Sequence, residues 1–275
     1  MKKRIGILMI TASLLHHACT QFRKSNKEIY QYFAEKQIEV AIKRYQERNR
    51  SIRYLESGNS DKPLVLFIHG APGSSDAFID FLSDSTLATQ THMISVDRPG
   101  YGYSGFGNTE PSIEAQAAYL KPLLSLSQGK AILVGHSYGG PIAARLAMDF
   151  PELVKAIVLV APALDPEAEK VFWVSYPAEW KVFRWMLPAV WKVTNEEKLK
   201  HKEELRLMLP LWQKLKVPTT IIHGEKDKLV SLSNANFAKR KMTNAEVKLI
   251  IKAELNHLIP WEKPELIRQA IQEYL

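Results

Sequence analysis

The chain has 275 residues, 46% of them hydrophobic and 24% charged. That is enough apolar content for a full core, at a length that α/β folds accommodate in one domain, and it excludes a disordered chain. The formal net charge is +8, yet Lys and Arg are interleaved with Glu, as from Glu196 to Arg206. This is a solvated surface rather than the basic stripe of a nucleic-acid binder, so no nucleic-acid partner is expected.

The N-terminus reads Met1-Lys2-Lys3-Arg4, then an apolar run from Ile5 to Leu15, then His16-His17-Ala18-Cys19. A basic start, a short apolar stretch and a small residue before the cut predict a secretory signal peptide over residues 1–18. The run falls short of the ~20 residues that span a bilayer. Cys19 is the single cysteine, so no intrachain disulfide and no cysteine-based zinc site can form. A Cys directly after the small residue resembles the bacterial lipoprotein signal, although His16 stands where that signal prefers Leu. The resemblance implies export and acylation of Cys19, with the protein membrane-anchored and facing the periplasm or exterior. Basic residues near such a membrane would favour anionic headgroups.

Residues 19–39 read as a tether, with Ile29, Tyr30, Phe33 and Ile38 at helical spacing. Val40–Tyr45 and Ile52–Leu55 alternate apolar with charged residues and predict a first hairpin. Strand and helix patterns then alternate. Apolar runs at Leu64–Ile68, Met93–Val96, Ala131–Val134, Ala156–Val160, Thr219–Ile222 and Val247–Ile251 read as strands buried on both faces. Helical patterns fall at Asp76–Leu82, Ile113–Leu126, Pro141–Phe150, Ser233–Lys241 and Glu265–Tyr274. This order predicts an α/β fold with a mostly parallel central sheet flanked by helices. Its core would comprise residues 40–166 and 217–275. The interruption, residues 167–216, carries Trp173, Trp180, Trp185, Trp191 and Trp212 between Pro166 and Pro218, and predicts a cap of three or four short helices. Most of its aromatics would form the cap's own core, and a few would face a pocket.

Chemistry concentrates in Gly135-His136-Ser137-Tyr138-Gly139, between a buried strand and a helix. In G-x-S-x-G the strand turns into the helix so tightly that only small residues fit two positions either side of the serine. Ser137 is therefore the candidate nucleophile. A serine needs an imidazole to take its proton and a carboxylate to orient that imidazole. In this architecture the acid and then the His follow the Ser in the chain. His201, His223 and His257 follow Ser137, and only His257 follows Asp227, which lies past the C-terminal end of the Thr219–Ile222 strand. There α/β sheets place functional residues. Asp165 is the second candidate acid, and Asp149 lies within the helix after the nucleophile, pointing away. Two N–H groups must hold a developing oxyanion. These are assigned to Tyr138 and to Ala71 in His69-Gly70-Ala71-Pro72-Gly73, since Pro72 has no N–H. His69 precedes the nucleophile and is expected to shape its loop.

Together with Asp97-Arg98-Pro99-Gly100-Tyr101-Gly102-Tyr103-Ser104, these motifs resemble the α/β-hydrolase superfamily, in its cap-bearing branch of esterases, prolyl aminopeptidases and haloperoxidases. The resemblance extends from about Val40 to the C-terminus. It implies that the Asp97–Gly100 segment shapes a loop, and that the activity is hydrolysis of an ester with a small to medium apolar group. Epoxide hydrolases and haloalkane dehalogenases of this fold use an aspartate nucleophile, which Ser137 replaces. A prolyl-type aminopeptidase is the alternative, although Gly and Trp usually flank the serine there and His136 and Tyr138 do so here. A non-catalytic ligand-binding protein on the same fold is the other alternative. No phosphate loop, dinucleotide fingerprint or metal-ligand spacing is present, so neither cofactor nor metal is expected.

Overall fold

Runs of consecutive apolar residues set the architecture, because a strand apolar on both faces must be covered on both. The computed structural model describes residues 22–171, 175–178, 180, 185 and 187–275. The expected signal peptide and Cys19 lie outside the described residues, as do Trp173 and part of the cap.

Eight strands form one sheet: β1 (Val40–Glu47), β2 (Arg50–Gly58), β3 (Leu64–Ile68), β4 (His92–Val96), β5 (Ala131–His136), β6 (Val154–Val160), β7 (Thr219–Gly224) and β8 (Val247–Lys252). Their order is β1-β2-β4-β3-β5-β6-β7-β8. β1 and β2 pair antiparallel, as the predicted hairpin requires, and β2 pairs antiparallel with β4. Every other pairing is parallel. β3, β4 and β5 are buried at every position, whereas β8, expected to be buried on both faces, has no buried residue because it is the edge strand.

Six longer helices matter here: α1 (Asn26–Lys36), α2 (Ile113–Leu124), α3 (Gly139–Asp149), α4 (Ala189–Met208), α5 (Ser233–Lys241) and α6 (Pro264–Gln272). One face of the sheet packs on α2, α3, α5 and Trp212. The other packs on α6, on α1 and on Phe78 and Phe81 from the short turns before β4. α1 begins with a capping box, Ser25 accepting from Glu28 N while the Glu28 carboxylate accepts from Ser25 N. Such reciprocal capping satisfies two orphan donors. The segment expected as a tether thus carries a helix that docks, burying Ile29 and Phe33 against the core.

Among the described residues, the expected cap holds three helical segments, one of them much longer than expected. These are a one-turn helix at Ser175–Ala178, the 20-residue helix α4, and a 3-10 segment at Leu209–Lys214. Residues 189–208 contain neither Gly nor Pro, so nothing interrupts the helix between Pro188 at its start and Pro210 past its end. Among the described residues no helix is long and apolar enough to cross a membrane.

Candidate active site

β5 leads straight into the elbow. Ser137 adopts φ 52°, a left-handed conformation that a non-glycine residue holds only when its surroundings enforce it. They do so here. Ser137 N donates to Val160 O at 2.9 Å, and Ser137 O accepts from Gly140 N at 3.0 Å. A Cβ on Gly135 would stand 2.5 Å from Gly139 O, and one on Gly139 would collide with Ile68 O. Strand, turn and helix therefore approach too closely for any side chain at either position.

His257, after β8, and Asp227, after β7, meet across the C-terminal edge of the sheet. His257 Nδ1 lies 2.7 Å from Asp227 Oδ2. Asp227 Oδ1 accepts from Leu229 N and Val230 N, both at 2.8 Å. Burial alone would raise the Asp227 pKa, but the His257 bond and these N–H groups outweigh it and hold the carboxyl below its usual range. Asp165 is occupied elsewhere, its carboxylate accepting from Glu167 N, and Asp149 pairs with Arg145. His223 lies behind Asp227, with Nε2 3.1 Å from Val230 O. Ser137 and His257 line one cavity of about 520 Å³, without a hydrogen bond between them in this structure, and Ala71 and Tyr138 line it too. Hydrogen bonds of this kind often close only around a substrate. Among the described groups, none accepts the N–H of Ala71 or of Tyr138.

His136 was not singled out as a site residue, yet it touches the site. Its ring centroid is 4.8 Å from that of His257, and its Nε2 lies 3.1 Å from His257 O. Burial first, and then the neighbouring His257, push its pKa down to about 3. It stays neutral beside the His257 imidazole.

His69 shapes its loop, as expected. Its Nε2 accepts from Arg98 N at 3.1 Å, which leaves Nδ1 to donate to Gly70 O at 2.7 Å. Burial and the Arg98 charge hold it neutral. The Asp97–Gly100 segment does more than shape a loop. Asp97 accepts from Ser75 N and Tyr103 N and pairs with Arg53. Arg98 donates to Gly70 O at 3.0 Å and forms a wholly buried ion pair with Glu197 of α4. His201, expected in a charged stretch of the cap, is buried, its ring stacked on Tyr138 at 4.3 Å. Its Nδ1 lies 3.3 Å from Glu169 Oε1, which also pairs with Lys198. Glu197 and His201 recur one turn apart on α4, a weak signal in a run of charged residues. Among the described residues no group of His, Cys, Asp and Glu is placed to hold a metal ion.

A parallel sheet with an antiparallel start, a strained serine after its central strand, and a His–Asp pair after the last two strands define the α/β-hydrolase architecture. The family model described as the alpha/beta hydrolase fold matches residues 63–184, and the chain has the α/β-hydrolase fold. It is 28% identical over 138 residues to epoxide hydrolase 1 of Caenorhabditis elegans, covering 48% of this chain and 34% of that one. The chain spans less than half the length of the curated relatives it first matches. A longer match is to the monoacylglycerol lipase of Homo sapiens, 24% identical over 316 residues and covering 98% and 91% of the two chains. Among solved structures, a membrane phospholipase A described as a bacterial virulence factor superposes with a TM-score of 0.65 at 20% identity. That superposition covers 100% of this chain and 98% of the other.

Proposed function

We propose that the chain is a serine hydrolase of carboxylic esters with a small to medium apolar group. The observation that carries this is the strained Ser137 on the wall of an apolar cavity that His257, already held by Asp227, also lines. Ser137 Oγ attacks the ester carbonyl carbon, and its proton passes to His257 Nε2. Asp227 orients the ring through Nδ1 and stabilises the imidazolium. The free N–H groups of Ala71 and Tyr138 hold the oxyanion. The tetrahedral intermediate collapses by breaking the bond to the alcohol oxygen, which leaves with the proton from His257. Water then attacks the acyl-enzyme by the same route, giving the carboxylic acid and free Ser137. Residues 167–216 act as the cap over this cavity.

The test is turnover of p-nitrophenyl butyrate by the wild type and by Ser137→Ala, with fluorophosphonate labelling of the folded protein. A loss of roughly 10⁴-fold or more in the variant, with the label on Ser137, is expected. Equal rates in the two proteins would remove the serine mechanism.

The proposal extends to placement. Export through residues 1–18 and acylation of Cys19 fit the order of the basic, apolar and small residues there. The mass of the mature N-terminus checks this, and an unmodified Cys19 on membrane-associated protein would reject the lipid.

A further inference from the structure

We propose that the cavity mouth is a docking surface for an anionic lipid bilayer, from which the enzyme draws an ester bearing an apolar chain. The substrate class rests on the ester-hydrolase reading, whereas the docking does not.

Leu229 and Trp191 both line the cavity, yet are 62% and 42% exposed. They stand where the cavity opens, one on the loop after β7 and the other on α4. Two more exposed aromatics lie close in sequence to lining residues. Tyr176, 60% exposed, follows the lining residue Ser175, and Trp185, 74% exposed, lies two residues before the lining residue Leu187. On the core side, Leu258 is exposed beside His257, and the half-exposed Trp261 packs edge-on against His136 at 5.4 Å. Single exposed apolar residues are ordinary, but a group around one opening marks an interaction surface. Every exposed tryptophan among the described residues belongs to the cap or to this rim. Tryptophan favours the boundary between water and lipid, where its ring is buried and its N–H stays wet.

The N-terminal side of the chain reaches the same rim. Phe22 packs edge-on against Trp191 at 5.5 Å, and Ser74 Oγ donates to Phe22 O at 2.7 Å. Arg23 lies 4.0 Å over the Phe106 ring and donates to Gly102 O at 2.6 Å. Cys19 is three residues upstream, a reach of at most ~11 Å. A membrane held through that segment is held against the mouth, not behind the sheet. Charge agrees with an anionic surface. Lys226 and Lys228, exposed on the loop that carries Leu229, have no ion-pair partner among the described residues, and residues 19–275, which remain after removal of 1–18, carry 34 Lys and Arg against 29 Asp and Glu, a net +5. Glu225 and the buried Asp227 side chain balance the two lysines in formal charge, but Asp227 is turned inward to His257 while both lysines reach solvent.

The test uses the full chain with Ser137→Ala and Cys19→Ser, so that neither turnover nor acylation intervenes. Trp185→Cys in one protein and Lys130→Cys in another carry a polarity-sensitive fluorophore. Lys130 precedes β5 and so marks the opposite end of the sheet. On vesicles of phosphatidylcholine with phosphatidylglycerol, a blue shift is expected at position 185 and none at 130. The shift at 185 should shrink on phosphatidylcholine alone. Equal shifts at the two positions, or none at 185, would overturn the docking, and a shift at 185 indifferent to phosphatidylglycerol would overturn the anionic preference. With Ser137 and Cys19 restored, Trp185→Asp should lose about tenfold on a long-chain monoester in such vesicles and keep its rate on soluble p-nitrophenyl acetate. An equal loss on both substrates would count against the proposal. Should Ser137→Ala still hydrolyse esters, the serine mechanism fails while the orientation result stands.

Discussion

Arg98 and Glu197 are 99 residues apart in sequence and form an ion pair of 2.7 Å with neither side chain exposed. Glu197 also accepts from Gln116 Nε2 and Tyr101 OH, at 2.8 and 2.7 Å. The other nitrogen of the same guanidinium holds Gly70 O. One arginine therefore links the cap helix to the loop that carries Ala71. Breaking such a pair leaves a buried charge uncompensated, at a cost of about 3–5 kcal/mol. Arg98→Met should lower the thermal midpoint substantially. Calorimetry on Arg98→Met with Glu197→Met should show recovery of much of that loss, because a matched apolar pair strands no charge.

Asp227 accepts from His257 and two backbone N–H groups at once. Asp227→Asn would leave His257 in the wrong tautomer, and a fall in kcat of about 10⁴-fold is expected on soluble esters. Neither Asp227 nor His136 should contribute a proton to the acid limb of the wild-type pH profile at about pH 5 to 7. Asp227 is held below the usual carboxylate range, and His136 is held neutral down to about pH 3. Two protons on that limb would contradict this.

The φ of 52° at Ser137 stores strain that glycine does not feel. Ser137→Gly should abolish turnover yet raise stability by about 1 kcal/mol, whereas Ser137→Ala keeps the strain. Urea melts of the two inactive variants make the comparison.

Glu169 is buried, which alone would raise its pKa, but His201 and Lys198 bring it down to about 2 from 4.5. A depressed carboxylate contributes stability that is present above the unfolded-state value and lost as pH falls through the folded one. At roughly 1.4 kcal/mol per unit, the contribution is about 3 kcal/mol. The urea midpoint of the wild type should exceed that of Glu169→Gln at pH 6, and the difference should vanish between pH 4.5 and 2. A constant difference across that window would count against a charged Glu169.

Local chemistry made the elbow legible. β5 is an uninterrupted apolar run, and the two glycines around Ser137 stand where backbone approaches backbone, so residue type alone reveals both. Chain order then left His257, and Asp227 sits beside it at 2.7 Å. The cap was harder to read. Helical spacing and few turn residues suggested several short helices, and the absence of any Gly or Pro from 189 to 208 was the signal that one of them is long.

Residue type and order by themselves determined the strand–helix alternation and the tight turn at Ser137, because each follows from local sterics or periodicity. Only the tertiary structure decided that Glu197, one of many charges on α4, is buried against Arg98, that His201 stacks on Tyr138, and that Phe22 lies at the cavity mouth. Burial and pairing across 99 residues depend on where the helix lands, and no local pattern records that.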